Sequence, residues 1–175
     1  MTQRELTQAA KRLARALKSR NVRVVFAESC TAGLVAATLA RVPGISEYLC
    51  GSAVTYRNNT KHRWLGVSET SLHKPGPVST TVARQMARGV LSETPEADFS
   101  AAITGHLGPD APPDLDGLVH VAVSERTSGR KRPVRTHDFQ QVLEPIGRLK
   151  RQRAAAGFVL ESLERVLWHG NCETP

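Results

Sequence analysis

Three side chains of this 175-residue chain have the types and order for nucleophilic chemistry: Ser29, Tyr56 and Lys61. Ser29 lies in Ala27-Glu28-Ser29-Cys30-Thr31-Ala32-Gly33, where a β-branched run gives way to small residues. A serine between a strand and the start of a helix lies beside free backbone N–H groups. Those groups can cap onto its oxygen, bind an anion or hold a developing oxyanion. Capping is the plainer role, since serine and threonine are preferred there. Tyr56 closes the next apolar run, and Lys61 follows about one helical turn later. A lysine can act as base toward a serine only when neutral, which needs desolvation or a neighbouring cation. A surface lysine and a half-buried tyrosine are the competing reading.

The elements that must position these side chains follow from periodicity. Leu6, Ala9, Ala10, Leu13, Ala16 and Leu17 form one face of a helix over residues 3–19, which Asn21 ends. Residues 22–27 read as a buried strand, and residues 32–41 as a helix stopped by Pro43-Gly44. A strand over 48–56 and a short helix over 60–65, closed by Gly66, come next. Ser79 or Thr80 caps an amphipathic helix through Leu91, with Val82, Met86 and Val90 on one face. Strands over 99–104, 118–123 and 134–139 follow, the last two paired around Ser128-Gly129. A final helix covers 147–167, and residues 169–175 read as a loose tail. Alternating strands and helices predict a three-layer α/β/α single domain over residues 1–168, and the 118–139 pair predicts a mixed sheet.

Composition narrows the function classes. The apolar fraction is 40% and the charged fraction 23%, ordinary for a globular protein. No apolar run approaches the ~20 residues of a membrane span. The first residues lack the apolar core and cleavage site of a signal peptide, so the cytoplasm is the expected location. Cys30, Cys50 and Cys172 are scattered and read as reduced thiols. His106, Asp110, Asp114 and Asp116 have no standard metal-loop spacing, and neither metal nor cofactor is expected. The net charge of +8 is uneven: residues 126–153 hold nine Lys or Arg against Asp138 and Glu144. That stretch reads as a solvated basic face, the edge of a pocket for an anionic small molecule, or a nucleic-acid surface. Phe139 is its only aromatic residue, which disfavours nucleic acid. Arg148, Lys150, Arg151 and Arg153 crowd the first turns of the last helix, against its dipole by roughly 0.3–1 kcal/mol for a nearby charge. A bound anion would offset that conflict, with Arg148 and Arg151 the candidate ligands; solvated side chains or a helix starting near Val142 are the alternatives.

In order along the chain, these segments resemble the CinA C-terminal (nicotinamide-nucleotide amidase) family. Ala27 to Gly33 is similar to its A-E-S-C-T-G-G signature, and Val54 to Lys61 to its strand ending in Y-S-N-x-x-K. Leu65-Gly66-Val67, Val78-Ser79, Thr104-Gly105 and Gly108-Pro109 match its L-G-V, G-A-V-S and T-G-x-x-G-P segments. The resemblance implies hydrolysis of the carboxamide of nicotinamide mononucleotide, or a related nucleotide amide, with release of ammonia and no metal. Ser29 would be the nucleophile and Lys61 its base. Tyr56 would orient or relay the proton, and backbone N–H groups after Ser29 would hold the oxyanion. Cys30, Thr31, Gly33, Asn58, Thr104, Gly105, His106, Arg148 and Arg151 would bind substrate. A nucleotide partner and pairing into homodimers or larger homo-oligomers are implied as well.

Three stretches depart from the family pattern. Ala32 replaces the first glycine of the G-G pair, at a position expected inside a helix, where alanine is favoured; its methyl would narrow a pocket there. Residues 105–117 carry Pro112, Pro113, three aspartates and His106 where the family has a glycine-rich loop. Proline removes donors and aspartate repels anions, so this loop is expected to handle a nucleotide differently. A nucleotide-binding or regulatory module without turnover is the resulting alternative. His106 is a candidate alternative base or donor, a loop histidine with no catalytic role being the plainer reading. No aspartate precedes Arg148, where the family has G-D-R.

Overall fold

A capping box starts the first helix, α1 (Gln3–Arg20): Thr2 Oγ1 accepts the Glu5 N–H and the Glu5 carboxylate accepts the Thr2 N–H. Asn21, at φ 50°, ends it in the left-handed region that asparagine tolerates. That turn feeds β1 (Val24–Glu28), all five residues of which are buried. The computed structural model describes residues 1–127, 134–144 and 147–169. The predicted turn at Ser128-Gly129 and tail residues 170–175 lie outside the described residues.

Five strands form one mixed sheet in the order β2-β1-β3-β4-β5. They are β1, β2 (Leu49–Val54), β3 (Phe99–Gly105), β4 (Leu118–Arg126) and β5 (Val134–Val142). β1 runs parallel to β2 and β3, whereas β3, β4 and β5 pair antiparallel. On one face lie α1, α2 (Leu34–Leu39) and α6 (Arg148–His169), over Val24, Phe26, Ile103, Val121 and Val123. On the other lie α3 (Asn58–Leu65) and α5 (Thr80–Glu93), over Val25, Ala27, Ala102 and Ala122. Alternate strand residues thus fill two separate cores. β1, covered on both faces, reads as a continuous apolar run for that reason. The expected three-layer α/β/α arrangement is the one observed.

The differences are local. A short helix, α4 (Glu69–His73), forms where no helix was expected, with Ser68 Oγ accepting the Ser71 N–H as its cap. The helix after Ser29 spans six residues, not ten, and starts at Leu34. β5 runs to Val142, so α6 does not begin there. Between α3 and α5 the backbones nearly touch: a Cβ on Gly89 would sit 2.0 Å from the Leu65 carbonyl oxygen. Only glycine permits that approach, and it seats α3 against α5. Among the described residues, no helix is long and apolar enough to cross a membrane.

Candidate active site

Because β1, β2 and β3 are parallel, their carboxyl ends open on the same side of the sheet. Glu28 pairs in register with Val54 on one side and Ile103 on the other. The residues just beyond therefore converge: Ser29 after β1, Tyr56 after β2, and Thr104 to His106 at the end of β3. The crevice outside such strand ends is the usual place for a ligand in an open α/β sheet.

Lys61 reaches this crevice from the first turn of α3. Its side chain is 2% exposed, and Nζ donates to Ser29 Oγ at 2.9 Å, to the Thr55 carbonyl at 2.9 Å and to the Tyr56 carbonyl at 3.4 Å. No carboxylate pairs with it among the described residues. Burial, uncompensated by an acid, pushes its pKa down to about 8. The three acceptors suit either protonation state. An ammonium fills all three; a neutral amine donates to the two carbonyls and turns its lone pair toward the Ser29 hydroxyl. Ser29 itself is 8% exposed. Neighbouring Cys30 is no rival nucleophile, since burial pushes its thiol up to about 12.

Ser29 does not cap α2. Gly33 occupies the N-cap without a side-chain bond, and the chain turns first: the Ala32 N–H donates to the Ser29 carbonyl. Ala32 sits at φ 53° and Gly33 at φ 94°, so the alanine is strained and not interior to a helix. Its methyl is exposed and does not line the crevice. The capping function falls to Glu28. Its buried carboxylate accepts the N–H groups of Gly33, Val35 and Ala36 and the hydroxyls of Thr31 and Ser52. Sequence reasoning passed over Glu28; a carboxylate among buried apolar residues was the available signal.

A cavity of about 450 Å³ opens over Ser29. Of the residues singled out from the sequence, Ser29, Cys30, Tyr56, Asn58, Lys61, Thr104, Gly105, His106 and Arg148 line it. Thr31, Gly33 and Arg151 do not. Thr31 is fully buried with its hydroxyl on Glu28, and Gly33 belongs to the turn beneath. Arg151 is 6% exposed and bidentate to Asp116, both contacts at 2.7 Å, with Nε on the Glu144 carbonyl. The anion that relieves the cation-rich start of α6 is therefore Asp116, from the chain's own loop. Asp116 in turn is held below the usual carboxylate range by the Arg151 hydrogen bonds.

Tyr56 also differs from expectation. Its backbone carbonyl contacts Lys61, but its side chain is 52% exposed and the hydroxyl accepts from Arg148 Nη2 at 2.9 Å. Arg148 further donates to the Gly108 carbonyl, bridging the loop and Tyr56 at the cavity mouth. His106 and Asp110 line the cavity, and neither is hydrogen-bonded to Ser29. Thr104 donates its hydroxyl to the Pro77 carbonyl, fixing the wall that Pro77 and Val78 supply.

An open α/β sheet with a serine and a buried lysine at its strand ends defines the class. Within it, the model of the CinA C-terminal domain matches residues 6–167, and the chain belongs to that family. A CinA-like protein of Prochlorococcus marinus (strain MIT 9313) is 38% identical over 157 residues, 89% of this chain and 35% of that protein. A CinA-like protein of Syntrophotalea carbinolica is 37% identical over 157 residues, 89% of this chain and 36% of that protein. The chain thus spans about a third of the length of these curated relatives. Among solved structures, the competence/damage inducible protein CihA from Agrobacterium tumefaciens superposes with a TM-score of 0.81 at 33% identity, covering 93% of this chain and 95% of that one. The competence damage-inducible protein A (ComA) from Klebsiella pneumoniae gives 0.85 at 26% identity, covering 94% and 98%.

Proposed function

We propose that this chain is an amidohydrolase that cleaves the carboxamide of nicotinamide mononucleotide, or a related nucleotide amide, through Ser29 and Lys61. The observation that carries the reading is the 2.9 Å contact between Ser29 Oγ and a buried lysine with no acidic partner among the described residues. Neutral Lys61 takes the Ser29 proton as Oγ attacks the carboxamide carbon. The oxyanion forms beside the backbone N–H groups that follow Ser29. Lys61 then protonates the leaving nitrogen, ammonia departs, and an acyl-serine remains. Water, deprotonated by Lys61, cleaves that ester and frees the carboxylic acid and Ser29. Water aside, every step uses groups of this chain. Arg148, at the cavity mouth and bonded to the hydroxyl of Tyr56, offers its charge to the nucleotide's phosphate.

The test is ammonia release from nicotinamide mononucleotide by purified protein. Release is expected, with Ser29→Ala reducing it to the buffer level. Since only neutral Lys61 is competent, the rate should climb about tenfold per pH unit below pH 8 and level off above it. No release above the blank at pH 9, across a panel of nucleotide amides, would refute the reading. The remodelled 105–117 loop favours one second reading, a nucleotide-binding module without turnover. A nucleotide that raises the melting temperature but is never cleaved would establish it.

A further inference from the structure

The turn that carries Ser29 is gripped by two side chains that the reaction above does not use. Glu28 is 1% exposed. Its Oε2 accepts from Thr31 Oγ1 at 2.8 Å, the Gly33 N–H at 2.9 Å and the Val35 N–H at 3.0 Å. Its Oε1 accepts from the Ala36 N–H at 3.0 Å and from Ser52 Oγ at 3.1 Å. All five partners are donors, an arrangement matched to an acceptor-only carboxylate. From above the turn, Gln152 Nε2 on α6 donates to the Thr31 carbonyl at 3.0 Å.

This grip consumes most of the backbone donors of the turn. The Ser29 N–H is taken by the Ile103 carbonyl, Ala32 by Ser29, and Leu34 by Thr31. Gly33, Val35 and Ala36 are taken by Glu28. Among the described residues, no other residue takes the N–H groups of Cys30 and Thr31, directly after the serine. Without the carboxylate, three more donors would compete for an anion, and the turn that sets Ala32 and Gly33 at φ 53° and 94° would lose its side-chain support from below.

We propose that Glu28 and Gln152 are positioning residues for Ser29: the buried carboxylate and the α6 amide lock the 29–33 turn and take up its competing donors, leaving the Cys30 and Thr31 N–H groups for the developing oxyanion. The inference rests on Ser29 being the nucleophile, and it adds which donors form the oxyanion site and what holds them.

Glu28→Gln preserves shape but replaces one acceptor oxygen by a donor. Ser52 Oγ can reverse its role; the N–H groups cannot, so at least the Ala36 bond is lost and the turn relaxes. The experiment times covalent labelling of Ser29 by a fluorophosphonate, in which Oγ bonds to phosphorus and fluoride leaves, followed by intact mass. Turnover of nicotinamide mononucleotide is followed in parallel. Wild type should label and Ser29→Ala should not. Glu28→Gln should label about tenfold more slowly or worse, as expected when a reacting group is slightly misplaced. Its kcat should fall by a similar factor while KM stays within about twofold, because the ground-state contacts at Arg148 are untouched. Gln152→Met should label several-fold more slowly, and it decides the matter if Glu28→Gln does not fold. Labelling of the folded variants at the wild-type rate would overturn the proposal. A wild-type chain that never labels would instead overturn Ser29 as the nucleophile.

Discussion

Replacing Lys61 by methionine tests the buried-lysine argument without any need for turnover. In the folded chain Lys61 titrates at about 8, against 10.5 for an ordinary lysine. Between those values the unfolded chain binds a proton that the folded chain does not. Stability from this site therefore rises with pH through that window, and is flat below it. Linkage gives a gain of about 1.3 kcal/mol from pH 7 to 9 and about 2.5 kcal/mol from pH 7 to 10. Lys61→Met has no such group; Cys30 loses the Lys61 charge that lowers its pKa, but with its thiol pushed up to about 12 by burial it stays protonated in the folded chain through pH 10 either way. Subtracting the two urea-denaturation free energies at each pH isolates Lys61. The difference, wild type minus variant, should climb by those amounts. A constant offset, whatever its size, would mean that Lys61 titrates normally when folded; a difference that falls with pH would mean that a hidden acid stabilises its charge. Either result would refute the reasoning.

Two further substitutions probe the surrounding frame. Ala32→Gly should stabilise the protein by up to about 1 kcal/mol, since left-handed alanine costs about 1–2 kcal/mol and glycine's extra freedom when unfolded returns part of it; a lower urea midpoint would contradict the strained turn. Asp116→Asn should loosen the loop that lines the cavity and raise KM several-fold while leaving kcat near wild type. Steady-state kinetics decide, and a loss confined to kcat would show that the loop acts on the chemistry itself.

The layers and strand order were legible because buried strands and amphipathic helices leave periodic marks. The same marks placed Ser29 at a strand end and Lys61 one turn into a helix. What failed was local backbone geometry. Ala32 reads as a good helix former, and its intrinsic preference gave no sign that Glu28 would draw the next N–H groups into a turn. Arg151 looked like an anion ligand because four cations crowd one helix start; that its anion is Asp116, 35 residues earlier, is a tertiary fact with no sequence period. The strand expected to end at Tyr56 ends at Val54, two residues earlier, and strand alternation does not say that the Tyr56 hydroxyl would turn to Arg148.

The Arg151–Asp116 pair has a consequence for how such a protein can diverge. Ser29 and Lys61 are held by β1, β2 and α3, whereas the loop before β4 is tied down at Asp116 by Arg151 and at Gly108 by Arg148, both on α6. One helix therefore ties the two together: Gln152, a turn on from Arg148, holds the Thr31 carbonyl of the turn that carries Ser29. A change in residues 106–116 that shifts α6 through Arg148 or Arg151 is thereby felt at the serine as well as at the cavity wall.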